Sequence, residues 1–473
     1  MTVATATGHV ATVDVAHEAS VNRIGARTDA SDLRVLTGAP LRLALLVGED
    51  PASLAAARAA ALGACADVVV TLSVEQRASF VERAEALRDA RPDAVLVVAG
   101  ARDTGGIVDL IEALRAGCGG QAEAPAILVA ADERARERIA ASAAPLAIEA
   151  IPGPLTAQAR EAIVARLRGI RRSSGDVVLR DEAIESAARS LAAATGRATL
   201  VVDVSGASTS LAFAGPSGLV AAVHSHQGVG AGADRVVART GLEHVRRWIP
   251  WAIDAPALLE RVFNRARWPD AIPPSALTLA IEMSLAREAI AQLLSEAGRA
   301  GIDVAAMRST AVIACTGRLA RLPRPAQTVL AAVDAVAPDG APIVSREKRD
   351  ALVAAGAIAS RSSADVAATL EPLALVATLW PKRSMSVTVS DGNGETTERV
   401  GRGAFFLMPT TGPAELRVTG VSEATQTPPL ALGIVIDARG RPLELPPRDA
   451  DRLPALARWY AALATLPIEG GAP

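Results

Sequence analysis

Leu200-Val201-Val202-Asp203-Val204-Ser205-Gly206-Ala207-Ser208-Thr209-Ser210 reads as an apolar strand that ends on an acidic residue and runs straight into a Gly/Ser/Thr turn. Two more strand-like runs follow at once, 208–213 and 219–226, across the joints Ser205-Gly206-Ala207 and Gly215-Pro216-Ser217-Gly218. Joints this short permit antiparallel hairpins, whereas a parallel crossover needs a dozen residues or more. Residues 200–226 are therefore expected to form an antiparallel meander. Its first turn can aim successive backbone N–H groups and hydroxyls, those of Gly206, Ser208 and Thr209, at a terminal phosphate. Asp203 at the strand end can hold a hydrated Mg²⁺ that neutralises charge on that phosphate. The same residues also suit an ordinary hairpin, in which Asp203 and the serines only satisfy turn backbone.

Working outward, residues 181–195 place Ile184, Ala187, Ala188 and Leu191 on one helix face, and Gly196 can end that helix. Downstream, Gly228-Val229-Gly230-Ala231-Gly232-Ala233 opens a helix and fits the permissive G-x-G-x-x-A pattern. It follows a meander, and no strand comes after it to supply a ribose-binding acid, so a nicotinamide or flavin site is not expected. A phosphate-facing glycine turn at a helix N-terminus remains open. A helical region then runs from Ala233 through Arg299, broken by Pro250, Pro256, Pro269 and Pro273-Pro274, before a buried strand at 311–315 that ends on Thr316-Gly317.

Upstream, strand-length apolar runs at 41–47, 68–72, 94–99, 126–130 and 146–151 alternate with helical stretches at 52–63, 74–90 and 132–142. That alternation predicts parallel βαβ units and a sheet covered on both faces. Gly48, Gly100 and Gly105-Gly106 fall just after strands, where such sheets place ligand-contacting turns. Toward the C-terminus, runs at 384–389, 396–400, 404–407, 414–418 and 431–436 read as strands, Asp391-Gly392-Asn393-Gly394 as a hairpin turn, and 449–463 as a closing helix. The expected organisation is a poorly patterned segment over 1–40, a parallel α/β region over 41–180, a second α/β unit over 181–380 and a small β-rich module over 381–473. The two α/β halves are too unlike to be a repeat.

Composition excludes several classes. The chain has 473 residues, half of them hydrophobic but only 2% aromatic, so its cores must be built from small aliphatic side chains. Its 49 Lys and Arg nearly balance 51 Asp and Glu, which leaves no global field for a nucleic-acid backbone. The absence of a charge-free apolar run of about 18 residues argues against a membrane span. Cys65, Cys118 and Cys315 are few and far apart, which fits a reducing cytoplasm rather than a disulfide framework or zinc site. His224 and His226, two apart on one strand, read as structural residues because no Cys or spaced carboxylate completes a ligand set. Trp248, Trp251 and Trp268 read as core packing around the prolines, and Arg246-Arg247 as a solvated or helix-end pair.

Taken in order, these segments resemble the glutamate mutase L family (MutL/GlmL), within the superfamily of actin, sugar kinases and the heat-shock ATPase chaperones. Asp203-Val204-Ser205-Gly206-Ala207-Ser208-Thr209 is similar to that family's phosphate strand and turn, D-[VI]-G-G-A-T-T. The run from Gln227 to Gly232, Gly241 to Pro250, Leu259 to Asn264, and Ala314-Cys315-Thr316-Gly317-Arg318-Leu319-Ala320 with Pro323-Arg324-Pro325 are further similar pieces, the last resembling an adenosine-side turn. Gly433 to Pro442 resembles the C-terminal signature, and Arg91 to Gly106 a first-half motif, R-P-D followed by G-G-T-D-G-G.

The resemblance covers roughly residues 35 to 465. It implies a two-lobed actin-like ATPase fold with a truncated first lobe, and a nucleotide-binding helper that reactivates or manages an adenosylcobalamin-dependent mutase. Asp203, Gly206, Ser208, Thr209, Gly228, Gly230, Gly232 and Gly317 become candidate ATP contacts, with Asp203 holding Mg²⁺ through water, and the Ser205–Ser208 turn should face the interlobe cleft. Ser205 and Thr316 stand where the family has glycine. The family's first phosphate motif has only Val13-Asp14-Val15-Ala16-His17 as a worn counterpart. Losing one of two phosphate clamps should weaken hydrolysis severely. At most a weak ATPase is therefore expected, and the alternative is a pseudo-ATPase scaffold that acts through protein–protein contact. A small-molecule kinase lacks a catalytic base. Partners are expected to be a mutase subunit, with no nucleic acid and no membrane. The stretch from Leu41 to Ile151 contains no histidine to carry cobalamin, so that cofactor is expected on the partner rather than on this chain.

Overall fold

The computed structural model of the chain describes residues 39–466 apart from 101–102, 120–123, 145, 153–156, 172–176, 217 and 363, together with short N-terminal strands. These are β1 (Thr2–Ala4), β2 (Val10–Thr12), β3 (Ala26–Thr28) and β4 (Ser31–Leu36); β1 pairs with β2 and β3 with β4, both antiparallel. Val13–His17 lies outside the described residues.

The first large sheet is wholly parallel. Its strands β5 (Leu41–Val47), β6 (Ala66–Ser73), β7 (Ala94–Val98), β8 (Ala126–Ala131) and β9 (Ile148–Pro152) lie in the order β6-β5-β7-β8-β9. The crossovers are α1 (Pro51–Gly63), α2 (Phe80–Ala90), α3 (Thr104–Cys118) and α4 (Glu133–Ala143), and α5 (Ala157–Arg171) follows. Alternate strand residues feed two cores, Leu46, Val97 and Leu110 on one face and Leu45, Leu96 and Ile163 on the other. Burial on both faces explains why these strands read as unbroken apolar runs. Gly105-Gly106 does not form the expected turn; both residues lie in the first turn of α3. Gly106 serves packing instead, since a Cβ there would stand 2.2 Å from Val74 Cγ1.

Strand β10 (Val177–Leu179) pairs parallel with β4 and leads into α6 (Arg180–Thr195). The meander follows as β11 (Thr199–Val204), β12 (Thr209–Gly215) and β13 (Gly218–His224), antiparallel throughout. Helices α7 (Ala233–Thr240), α8 (Leu242–Arg246), α9 (Ala255–Arg267), α10 (Ala276–Arg299) and α11 (Val304–Arg308) return the chain to β14 (Val312–Gly317), parallel to β11. Next come α12 (Pro325–Val336), β15 (Ile343–Glu347), α13 (Ala351–Ala359) and β16 (Leu370–Thr378).

The C-terminal stretch divides between two sheets. Of β17 (Met385–Asp391), β18 (Gly394–Val400), β19 (Phe405–Met408), β20 (Ala414–Val418), β21 (Thr425–Thr427) and β22 (Gly433–Asp437), four form their own antiparallel sheet, β18-β17-β20-β21. The other two complete an eight-stranded mixed sheet in the order β13-β12-β11-β14-β15-β16-β22-β19. The closing helix α14 (Asp449–Ala462) buries Leu456 and Tyr460 in the large core beside α10 and α12. Thus β19, β22 and α14 belong to the body of the second sheet.

One face of that sheet is covered by α10 and α12, the other by α6 and α13. Helices α6 and α13 approach closely because Gly356 has no side chain; a Cβ there would lie 2.1 Å from the Ala183 carbonyl oxygen. Trp248 and Trp251 are buried in the large core, whereas Trp268 is exposed. The two sheets are tied at α6: Arg168 pairs with Asp181 at 3.4 Å and with Glu185, and Arg171 with Asp181 at 3.2 Å. The three cysteines are buried free thiols. Among the described residues no helix is long and apolar enough to cross a membrane.

Candidate functional site

Strands β11 and β14 run parallel with Asp203 opposite Thr316 and Val204 opposite Gly317, so the acidic strand end and the Thr-Gly turn are neighbours. A Cβ on Gly317, which sits at φ +68°, would lie 2.5 Å from Val204 O and 2.7 Å from Asp203 Oδ1. Only glycine fits there, both for its backbone angle and for this approach.

Around this junction the turn is closed on itself. Ser205 N–H donates to Ser208 O at 2.8 Å, while Ser205 Oγ accepts from Ala207 N–H at 3.2 Å and Ser208 N–H at 2.9 Å. Ser205 therefore supplies an internal acceptor for two amides that a phosphate would need. The glycine-rich segment packs directly onto the same turn. Val229 N–H donates to Ser205 O at 3.0 Å, and Gly230 and Gly232 N–H donate to Gly206 O at 2.8 and 3.0 Å. A Cβ on Gly228 would meet Ser205 O at 2.6 Å, so this segment is glycine-rich because backbone rests on backbone. The Thr209 hydroxyl turns away, donating to Gln227 O at 2.7 Å, and Ser208 Oγ shares a 2.9 Å hydrogen bond with Ser205 Oγ. The structure thus brings Asp203, Gly206, Gly228, Gly230, Gly232 and Gly317 together, with the Ser208 and Thr209 hydroxyls directed into the turn's own bonding.

Asp203 is fully buried and already has a cation. Arg180, the first residue of α6, donates from Nε to Oδ2 at 2.9 Å and from Nη2 to Oδ1 at 2.8 Å. This is the two-pronged geometry that gives Arg–carboxylate pairs their strength. Burial works against the Arg180 charge, but Asp203, with Glu347 and Asp350 nearby, overrides it and holds the guanidinium protonated. Glu347 closes the far side by accepting from Gly317 N–H at 2.8 Å; burial pushes its carboxyl up, opposed by that N–H and by Arg180. A hydrated Mg²⁺ on Asp203 would have to displace Arg180, so the site as arranged does not fit that ion.

A second ionic group covers the turn. Arg265 donates to Val229 O at 2.9 Å and to Glu282 at 2.6 Å, while Arg318 reaches Asp270 at 3.0 Å and also bonds Pro269 O. Burial pushes the Glu282 carboxyl up, against the pull of Arg265 and Arg318. Pro269 would lie 3.1 Å from a Cβ on Gly230, so the 269–271 strap sits on the glycine segment. Arg180, Arg265, Glu282, Arg318 and Glu347 are not among the contacts expected from the sequence, although Arg318 falls inside the stretch 314–320. No local pattern marks them; the only signal was that a strand-end acid buried in a sheet requires a cation, and the sequence does not say which arginine supplies it.

The histidines do not share a strand face: β13 ends at His224, and His226 lies in the turn beyond. His224 Nε2 bonds Glu296 Oε2 at 2.7 Å. In the parallel sheet, the crevice outside β5 and β7, where the strand order reverses, is occupied by Asp103. A Cβ on Gly48 would lie 2.0 Å from its Oδ2.

No protein-family model matches the chain, and no curated protein matches it.

Proposed function

We propose that the chain is a divergent glutamate mutase L-type protein that assists an adenosylcobalamin-dependent mutase as a non-hydrolysing scaffold with an actin-like fold. The carrying observation is the Arg180–Asp203 pair, which places a permanent protein cation where the family's resemblance would put Mg²⁺. Motif order supports the family reading. The antiparallel meander that continues into parallel β14 and β15, with α7 to α11 inserted between, is the arrangement expected of one actin-like lobe. The internal bonding of the turn supports the scaffold version over the ATPase version, because phosphoryl transfer depends on donors and metal being free to meet phosphate. Large apolar side chains left exposed at Phe263, Trp268, Ile272 and Trp380 suit a protein that acts by contact.

The test is to mix purified chain with an adenosylcobalamin-dependent mutase carrying inactivated cofactor, without nucleotide, and follow the corrin absorption bands and co-elution. The proposal expects a complex, and no corrin bands that migrate with this chain alone. Absence of any complex, or stoichiometric cobalamin on the chain itself, would refute it.

A further inference from the structure

A cavity lies apart from the turn just described. It has a volume of about 560 Å³ and opens between α1 and β6 of the parallel sheet and the end of β13, α7 and α10 of the mixed sheet. That volume is in the range of small-molecule sites. One wall is apolar, from Ala61, Leu62 and Val68. The other is cationic. Arg235 and Arg239 stand one helical turn apart on α7, Arg299 ends α10, and Arg58 reaches in from α1.

These four guanidinium groups face two carboxylates, Asp67 and Glu296, so positive charge is in excess. Glu296 is committed: it takes His224 at 2.7 Å, Arg239 at 2.9 Å and Gln292 at 2.8 Å. Arg58 and Arg235 have no ion-pair partner among the described residues. Two residues of the lining also carry unmet polar atoms. Gln227 is 7% exposed and His224 6%, yet Gln227 Oε1 and His224 Nδ1 have no hydrogen-bond partner among the described residues. Unpaired buried polar atoms are rare in native proteins and call for a partner. His226, at the rim, is held neutral by burial and by Arg235, and so can exchange hydrogen bonds with a hydroxyl.

We propose that this cavity binds a small phosphorylated polyol, its phosphate between Arg58 and Arg235 and a hydroxyl donating to Gln227. Arginine forks match phosphate oxygens. No Phe, Tyr or Trp side chain lines the cavity, and His224 is committed to Glu296, which favours a sugar phosphate over a nucleotide. Because its walls come from both sheets, the ligand would bridge them. The site does not rest on the scaffold proposal, and it meets the Asp203 turn only through Gln227, whose carbonyl accepts from Thr209, and His224, which stands opposite Thr209 in the sheet.

Calorimetric titration of the whole protein at low salt with ribose 5-phosphate, glycerol 3-phosphate and glucose 6-phosphate, beside inorganic phosphate and free ribose, tests it. At least one sugar or polyol phosphate is expected to bind one-to-one, about tenfold or more tighter than inorganic phosphate, with ribose silent. Arg58→Ala and Arg235→Ala, both at exposed positions, should each weaken it about tenfold or more with the thermal midpoint unchanged. Gln227→Ala should erase the preference over inorganic phosphate. Binding by none of the three, equal binding of inorganic phosphate, or affinity unchanged in both arginine variants would overturn the proposal.

Discussion

At the residue scale, a buried aspartate is defined by what neutralises it. Asp203 has no contact with solvent, so removing Arg180 leaves an uncompensated charge inside the sheet. Arg180→Ala is expected to cost about 3–5 kcal/mol, and the double variant with Asp203→Ala should recover part of that loss, because breaking a buried pair costs more than deleting it. Urea denaturation of the two variants beside the unaltered protein checks this; a near-neutral single variant would mean that Asp203 is not held by Arg180. Asp437 gives a complementary case. Burial alone would raise its pKa from 3.8, but Arg439 and Arg441 override it and hold the carboxyl at about 2. Both contacts are 2.8 Å, and Arg439 also meets Asp334 at 2.9 Å, which Arg287 pairs at the same distance. A carboxylate whose folded pKa is depressed contributes stability that is present above its unfolded pKa and lost as pH falls through the folded one. The thermal midpoint should therefore fall as the pH is lowered from 3.8 toward about 2, and Asp437→Asn, already destabilised at neutral pH, should lack that component. An unchanged acid limb in the variant would contradict the assignment.

At the scale of elements, periodicity and turn chemistry made much of the fold legible. The meander was readable because its joints are too short for anything but hairpins, and β5 to β9 because apolar runs of strand length alternated with helices. What failed were glycines. Gly105-Gly106 carries the same residues as a phosphate-facing turn, yet it lies inside a helix that needs close approach to Val74. Gly228, Gly230 and Gly232 left a phosphate-facing turn open, but what their backbone meets is that of Ser205–Gly206. A glycine signals missing side-chain volume, and sequence does not say what fills it. Gly356 is the sharpest case, since α13 and α6 meet through it. Gly356→Ala is expected to destabilise by about 1–3 kcal/mol through overpacking, even though alanine favours helix. Measured gain of stability in chemical denaturation would show that the helices can part without cost.

At the scale of the whole molecule, the C-terminal region shows why domain boundaries were the least legible feature. Its strands read alike, yet β17, β18, β20 and β21 form one sheet while β19 and β22 join another. Local pattern specifies a strand but not its long-range partner. The segment Gly433–Pro442, resembling a family signature, is held by the Asp437, Arg439 and Arg441 network, so its residue types follow from the burial of charge. The candidate site was likewise half legible: the strand end and glycines were found, and the arginines that occupy them were not. Whether these arginines make the turn a structural joint rather than a nucleotide site is decided by calorimetric titration of the intact protein with ATP in the presence and absence of Mg²⁺. A turn locked by Arg180, Arg265 and Arg318 should give no Mg²⁺-dependent binding heat and no turnover. Stoichiometric Mg²⁺-dependent binding, with hydrolysis on the order of 1–10³ per second, would contradict it.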